Sequence, residues 1–173
     1  MSVVLLDQVV YTDYGQLTLE WGNDTWDGDA DRFFDHQQNG LVGAADGDNV
    51  VILLARRSGG SAVRIVLQES QPPLGKEWED IVEVSLVLPA GRQMRWASWA
   101  GESGGPLAVA PSTYRLRLCA RGRDAGAQDE FADGVVDTYL VELWPAPAAL
   151  DAVLRVGSDD ARYWHRTWGS RRS

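Results

Sequence analysis

Residues 114–120 read Tyr-Arg-Leu-Arg-Leu-Cys-Ala, a run in which apolar and charged side chains alternate. A period of two places Leu116 and Leu118 on one face of a β-strand and Arg115 and Arg117 on the other. The pattern predicts a strand with one face in a core and one face in water.

A second strand-like run follows at 138–144 and ends before Pro145, which cannot donate a hydrogen bond to a sheet. Its β-branched and aromatic residues predict a more central strand. Residues 122–137 lie between the two runs and contain five acids and three glycines without a helical or strand period. We therefore expect a loop held out by a rigid sheet, where binding residues commonly lie.

The rest of the chain adds further strand-like runs separated by turn-forming residues. These runs lie at about 3–11, 16–21, 40–45, 50–57, 62–69, 79–88 and 92–99. The first two are expected to be neighbouring antiparallel strands. About nine short strands without helices between them predict an all-β, antiparallel and jelly-roll-like sandwich.

The C-terminal part of the chain departs from this pattern. Segments 148–156 and 158–168 each fit a short helix, with Pro147 near the first start and Ser158 as the start signal of the second. No change in composition marks a second domain. We expect residues 1–173 to form a single β-sandwich domain, with 146–173 as a C-terminal helical cap.

Composition restricts the class of protein. The chain has 173 residues, of which 45% are hydrophobic, so it is long enough to bury a sizeable core. Cys119 is the single cysteine, which excludes an internal disulfide, and the sequence has no Cys/His cluster for zinc. The first residues carry neither a basic leader nor a long apolar run, and we expect a cytoplasmic protein without a membrane span or a cofactor.

The chain has a net charge of −9. Nucleic-acid binding through counterion release needs a basic surface, so the charge argues against a general nucleic-acid binder. An acidic surface suits a basic protein partner. Solubility alone is the competing explanation.

One short motif is typical of an enzyme. Residues 101–106 read Gly-Glu-Ser-Gly-Gly-Pro, which is similar to the nucleophile motif of chymotrypsin-like serine proteases with Glu102 in place of aspartate. His36, the upstream histidine, does not lie in a motif for a general base. The residues are better explained as a Gly-rich hairpin loop, and we predict no catalytic residue.

Three acids alternate with a spacing that suits a hard cation: Asp27, Asp29 and Asp31, with Asp24 before them. Arg32 and Gln38 stand where a calcium-binding loop needs glycine and glutamate, which favours a solvated loop without metal. Asp129 and Glu130 are paired carboxylates in the second acidic loop, but no acid–base partner can be assigned to them.

Tryptophan is unusually frequent, with eight residues in the chain. Exposed tryptophans on a β-sandwich can stack on sugar rings or anchor a protein partner. We expect most of them to fill the core and to hold the C-terminal segment. Trp26, in a loop beside Asp27, is the exception that we expect to be exposed.

The order of several motifs resembles the competence-protein J family over about residues 17–118. These are Trp26, His-Gln-Gln-Asn-Gly-Leu at 36–41, Arg-Arg at 56–57, Val-Arg-Ile-Val-Leu at 63–67, Pro72-Pro73, Val-Glu-Val at 82–84 and Pro-Ser-Thr-Tyr-Arg-Leu-Arg at 111–117. The resemblance implies a small cytoplasmic β-protein that inhibits a competence-associated nuclease. It therefore implies a binding protein rather than an enzyme.

We accordingly predict a non-enzymatic acidic binding protein, an inhibitor or immunity-type partner of a basic enzyme such as a nuclease. A sandwich that binds a carbohydrate or another small ligand through exposed tryptophans is the alternative. The predicted partner contacts lie in the two acidic loops and are Asp124, Asp129, Glu130 and Asp133 in one, and Asp24, Trp26, Asp27, Asp29 and Asp31 in the other. Such carboxylates would steer a basic partner.

Overall fold

Ser112–Arg121 and Thr138–Pro145 pair as antiparallel neighbours at the centre of a six-stranded sheet. The arrangement comes from a computed structural model that describes residues 1–23, 26–129 and 131–173. In chain order the elements are β1 (Val3–Thr12), β2 (Gln16–Glu20), α1 (Ala30–Phe34), β3 (Val42–Gly43), β4 (Asn49–Leu53), β5 (Gly59–Leu67), β6 (Asp80–Leu88), β7 (Arg95–Ser98), a 3₁₀ turn (Trp99–Gly101), β8 (Gly104–Pro106), β9 (Ser112–Arg121), α2 (Arg123–Gln128), β10 (Thr138–Pro145), β11 (Ala152–Arg155) and α3 (Asp159–Thr167).

The strands form two sheets. The first has the order β1-β5-β10-β9-β6-β11, and the second has the order β3-β4-β2-β7-β8. Alternate side chains of both sheets meet in one core, in which Leu17 and Leu19 of β2 and Leu116 and Leu118 of β9 are fully buried. Burial of each such side chain stabilises the fold by roughly 1.5–3 kcal/mol.

The all-β prediction is confirmed, and each of the nine predicted runs contains a strand. The predicted count was too low, because the described residues also form β8 and β11. The pair β5 and β10 is parallel, which departs from an antiparallel sandwich. A jelly-roll arrangement is therefore not confirmed.

The first two strands are not neighbours in one sheet, contrary to the prediction. β1 pairs with β5, whereas β2 pairs with β4 and β7. The chain passes between the sheets at a tight corner, where Tyr14 and Gly15 have φ values of 60° and 64°. A side chain at Gly15 would collide with the Leu54 carbonyl oxygen, so the corner requires glycine there.

The charged face of β9 is buried, so the prediction of a face in water is wrong for Arg115 and Arg117. These side chains are 7% and 1% exposed. Glu83 of the adjacent strand β6 lies 3.2 Å from Arg115 and 2.8 Å from Arg117. Arg121, at the end of the strand, is exposed.

Two connecting segments cover this face. The carbonyl oxygen of Pro72 accepts a hydrogen bond from Arg117 at 2.8 Å. The carbonyl oxygens of Ala149 and Leu150 accept from Arg115 at 3.1 and 2.8 Å. Burial of arginine is tolerated here because both the charge and the N–H donors have partners.

The C-terminal segment packs on the two sheets but is only partly helical. The predicted helix at 148–156 is wrong, because β11 pairs with β6 there. The predicted second helix exists as α3, and Ser158 caps it by accepting from the backbone N–H of Ala161 at 3.1 Å. Ala161 is fully buried in the core, which fixes the helix against the sheets.

The acidic segment between β9 and β10 also differs from the prediction of a loop without helical structure. Residues Arg123–Gln128 form α2, which contacts α3. In the described part of the chain, no helix is long and apolar enough to cross a membrane.

Candidate functional site

The acids of the first predicted loop lie at the start of α1, and most of them already have partners. Asp29 is the N-cap and accepts from the backbone N–H of Arg32 at 3.2 Å. Asp27 lies 3.2 Å from the Arg32 guanidinium, and Asp31 lies 2.5 Å from that of Arg171. These carboxylates are exposed, but their charge is partly neutralised by the chain itself.

Trp26 is half-buried instead of exposed as predicted. Its ring lies edge-on to Phe33, with centroids 5.0 Å apart, and it is tilted against Trp168 at 5.5 Å. The ring thereby joins the α1 segment to the C-terminal segment. Asp24, which precedes it in the predicted site, lies outside the described residues.

The acids of the second loop divide into two kinds. Asp124 is half-buried and accepts from the backbone N–H groups of Asp159 and Asp160 at 3.2 and 2.9 Å, so it helps to cap α3. Asp129 and Asp133 are exposed. Glu130 lies outside the described residues.

Helix α3 links the two acidic segments. Asp124 contacts its N-terminal end, and Arg171, just beyond its C-terminal end, contacts Asp31. A helix of nine residues is about 14 Å long, so these contacts are separated by roughly that distance. The predicted site residues are therefore not gathered around one point.

A concavity that the sequence did not predict lies on the outer face of the second sheet. We call it the tryptophan groove; it has a volume of about 400 Å³ and is lined mainly by Gln16, Thr18, Glu20, Trp26, Arg95 and Trp99. The Thr18 hydroxyl donates to the Glu20 carboxylate at 2.7 Å, which fixes the position of the acid on the groove floor.

A second concavity shares Trp99 with the groove. We call it the aromatic pocket; it also has a volume of about 400 Å³ and is lined by Asp13, Tyr14, Arg57, Ser58, Trp99 and Phe131. The rings of Tyr14 and Trp99 have centroids 5.0 Å apart, and the Arg57 guanidinium lies over the Tyr14 ring at 5.3 Å. Phe131 is 83% exposed.

The backbone on both sides of the Tyr14–Trp99 contact is left-handed at non-glycine residues. Tyr14 has a φ of 60°, and Ala100, next to Trp99, has a φ of 55°. Such conformations cost of order 1–3 kcal/mol each and are found disproportionately at binding sites. The strained residues position the two rings toward the same concavity.

The Gly-Glu-Ser-Gly-Gly-Pro motif covers the end of the hairpin turn after β7 and the whole of β8, in line with the expected Gly-rich hairpin. Ser103 and Ser98 form two hydrogen bonds across the hairpin. The backbone N–H of Ser103 donates to Ser98 Oγ at 2.9 Å, and the backbone N–H of Ser98 donates to the Ser103 carbonyl oxygen at 2.8 Å. Of the histidines, His165 accepts from the backbone N–H of Gly40, and the exposed His36 lies 3.5 Å from Asp35. Ser103 and His165 thus make contacts within the fold, whereas His36 lies at the surface.

Among residues 1–23, 26–129 and 131–173, no group of three His, Cys, Asp or Glu side chains is arranged to hold a metal ion. Burial raises the pKa of Asp160 at the start of α3, while the neighbouring Arg123 opposes the shift.

The described elements define a two-sheet β-protein with a short helical C-terminal segment and an aromatic concavity between its loops. No protein-family model and no curated protein matches the chain. Two solved structures have a similar fold.

The first is ComJ from Bacillus subtilis, described as an inhibitor of the DNA degrading activity of NucA. The match has a TM-score of 0.56 and 16% identity, and it covers 84% of this chain and 99% of ComJ. The second is crocagin biosynthetic gene J, with a TM-score of 0.52, 16% identity and coverage of 85% and 99%. The resemblance expected from the sequence is confirmed as a likeness of fold.

Proposed function

We propose that this chain is a non-enzymatic inhibitor that binds a basic enzyme, such as a nuclease, in the cytoplasm. The likeness in fold to ComJ is the observation that carries the proposal, since ComJ is described as inhibiting the DNA degrading activity of NucA. Neither nucleic acid nor a cofactor takes part in this binding.

The charge of the chain supports a basic partner. A net charge of −9 on 173 residues favours encounter with a positively charged surface and disfavours binding to DNA itself. An inhibitor of a nuclease can present carboxylates where the enzyme binds phosphates. Asp129 and Asp133 suit this role because they are exposed and have no arginine within ion-pair distance among the described residues.

The proposal is tested by capture followed by a DNA-degradation assay. The purified chain is incubated with native lysate of its source cell, the bound protein is identified by mass spectrometry, and the purified partner is assayed on DNA with increasing amounts of the chain. We expect stoichiometric loss of DNA degradation. A captured protein whose activity is unchanged by an excess of the chain would contradict the proposal.

A carbohydrate ligand is the second candidate, and the tryptophan groove is the observation that favours it. Trp26 and Trp99 lie at a polar floor that contains Thr18, Glu20 and Arg95, a combination suited to stacking and hydrogen bonding with a sugar. Within the described part of the chain, the buried Trp26 Nε1 has no hydrogen-bond partner. A glycan array compared between the wild type and Trp99→Ala tests this, and an absence of binding by the wild type would exclude the glycans presented.

A further inference from the structure

The three rings of the aromatic pocket come from three connections that are distant in sequence, and Arg57 comes from a fourth, between β4 and β5. Tyr14 lies at the corner between β1 and β2, Trp99 follows β7, and Phe131 lies between α2 and β10. Phe131 and Tyr14 are 83% and 53% exposed, so much of their ring surface stays in water and could be buried by a binding partner. Asp13 adds a carboxylate to the same concavity.

The pocket already contains a cation. The Arg57 guanidinium lies 5.3 Å from the Tyr14 ring centroid, a cation–π distance. In the described part of the chain, Arg57 has no carboxylate within ion-pair distance. It is therefore held by the ring face alone, and this shows that the ring accepts a planar cation.

We propose that the aromatic pocket binds an arginine or lysine side chain of the basic partner, which displaces Arg57 from the Tyr14 ring. This inference rests on the proposed function, because it requires a basic protein as the partner. Trp99 and Phe131 supply further ring surface, and Asp13 supplies the countercharge.

The surroundings of the pocket favour this occupant. Asp129 and Asp133 flank Phe131 in sequence and are exposed, whereas the acids near α1 are paired with Arg32 and Arg171. Aromatic anchors inside a charged rim are the usual composition of an interface hot spot. The aromatic pocket therefore forms the centre of the interface, and the second acidic loop forms its rim.

Binding of a cationic probe tests the pocket directly. The probe is a fluorescein-labelled peptide of alternating glycine and arginine, with lysine and glutamate peptides of the same length for comparison. Fluorescence anisotropy at low salt should detect the arginine and lysine peptides but not the glutamate peptide. Phe131→Ala and Asp13→Asn should each weaken binding about three- to ten-fold. Phe131 is exposed and Asp13 is half-buried, and unchanged circular dichroism would verify the folding of both variants.

If Arg57 is displaced on binding, its substitution should change the affinity for the peptides in the opposite direction from Phe131→Ala and Asp13→Asn. Arg57→Gln should strengthen binding, because the ring face becomes free. Arg92→Gln is the matched control. It removes the same charge from the turn before β7, at the opposite end of that strand from Trp99 and the pocket. The Arg92→Gln variant should therefore strengthen binding much less than Arg57→Gln. Equal gains in the two variants would overturn the displacement.

The outcomes distinguish the pocket from the proposed function. If the wild type binds neither cationic peptide, or if Phe131→Ala binds as the wild type does, the pocket is not the cation site. If Phe131→Ala also inhibits the captured enzyme as well as the wild type does, the interface lies elsewhere and the inhibitor function stands. If the wild-type chain does not inhibit the captured enzyme, the proposed function fails whatever the peptides show.

Discussion

The Glu83 carboxylate lies 2.8 Å from the guanidinium of Arg117, a side chain that is 1% exposed on the outer face of the first sheet. The same carboxylate lies 3.2 Å from Arg115, which is 7% exposed. Glu83 therefore compensates two arginines that have little access to water. Loss of one partner from a buried ion pair is far more costly than loss of a surface pair.

The substitution Glu83→Ala should lower the free energy of unfolding by about 3–5 kcal/mol. Among the described residues, it leaves the buried Arg115 without a carboxylate partner and Arg117 with only Glu142, 3.7 Å away. Urea denaturation measures the change. Asp7→Ala is the matched control, because Asp7 lies 3.9 Å from Arg64 at the surface. Its effect should stay within about 1 kcal/mol. Similar losses in the two variants would contradict the role given to Glu83.

The buried face of β9 also marks a limit of what the sequence predicts. The alternation at 114–120 correctly predicted a strand and its apolar face, because that information is local. Whether the arginines meet water depends on Glu83 and on the segments that contain Pro72 and Ala149, all distant in sequence. The strands β8 and β11 were missed because they have only three and four residues and little alternation.

The His165 side chain should make stability depend on pH. Its Nδ1 accepts from the backbone N–H of Gly40 at 3.0 Å, which requires the neutral ring. Burial lowers the pKa of His165; Arg123 acts in the same direction, and Asp80 and Asp151 oppose it. As the pH falls, the unfolded chain therefore binds this proton before the folded chain does. The contribution of the neutral His165 to the free energy of unfolding is complete above a pH of about 6.5 and is lost as the pH falls below that value.

Melting temperatures measured from neutral to mildly acidic pH test this dependence. His165→Asn should reduce the loss of stability on acidification, because the asparagine oxygen accepts a hydrogen bond without titrating. His36→Asn is the control, since His36 is exposed and has a φ of 58°, which asparagine tolerates. The prediction is wrong if the His165 variant and the wild type lose stability in parallel.

The Cys119 thiol should be unreactive in the folded protein. Burial, together with the negative charge of Glu142, raises the pKa of Cys119 to about 12, so almost no thiolate forms near neutral pH. A chromogenic disulfide reagent should react slowly with the native chain and fully after unfolding in urea. Cys119→Ser should abolish the reaction in both states. Rapid labelling of the native protein would contradict the buried position.

The C-terminal segment should contribute to stability through Ser158. This fully buried side chain accepts from the Ala161 N–H and donates to the Asp80 carboxylate at 2.6 Å. Ser158→Ala should reduce the free energy of unfolding by about 1–3 kcal/mol through loss of the cap and of a buried hydrogen bond. Ser70→Ala, at an exposed residue between β5 and β6, is the control. Equal stability of the two variants would mean that α3 is not anchored through its cap.

The candidate site was less predictable than the fold. Acid-rich composition identified two loops, but it did not distinguish Asp31, which is paired with Arg171, from Asp133, which is exposed without such a partner in the described chain. The aromatic pocket has no local signature, because Tyr14, Trp99 and Phe131 come from three separate connections. Only the pairing of the strands brings them together.

The two acidic loops should differ in their effect on association with the captured enzyme. Asp27 and Asp31 are already paired with Arg32 and Arg171, so the chain itself partly neutralises the charge that D27N/D31N removes. Asp129 and Asp133 flank the exposed Phe131, and Glu130 lies between them in sequence. The triple variant D129N/E130Q/D133N therefore removes the charge that we expect to steer the partner.

Association and dissociation rates measured by surface plasmon resonance over a salt series separate these roles. The triple variant should associate about two- to ten-fold more slowly at low salt, with little change in dissociation, because rim charges act mainly on encounter. The difference should shrink as salt shortens the Debye length from about 30 Å toward 8 Å. D27N/D31N should associate at nearly the wild-type rate. If the triple variant also associates at the wild-type rate at every salt concentration, its acids only solubilise the loop, and the rim of the interface lies elsewhere.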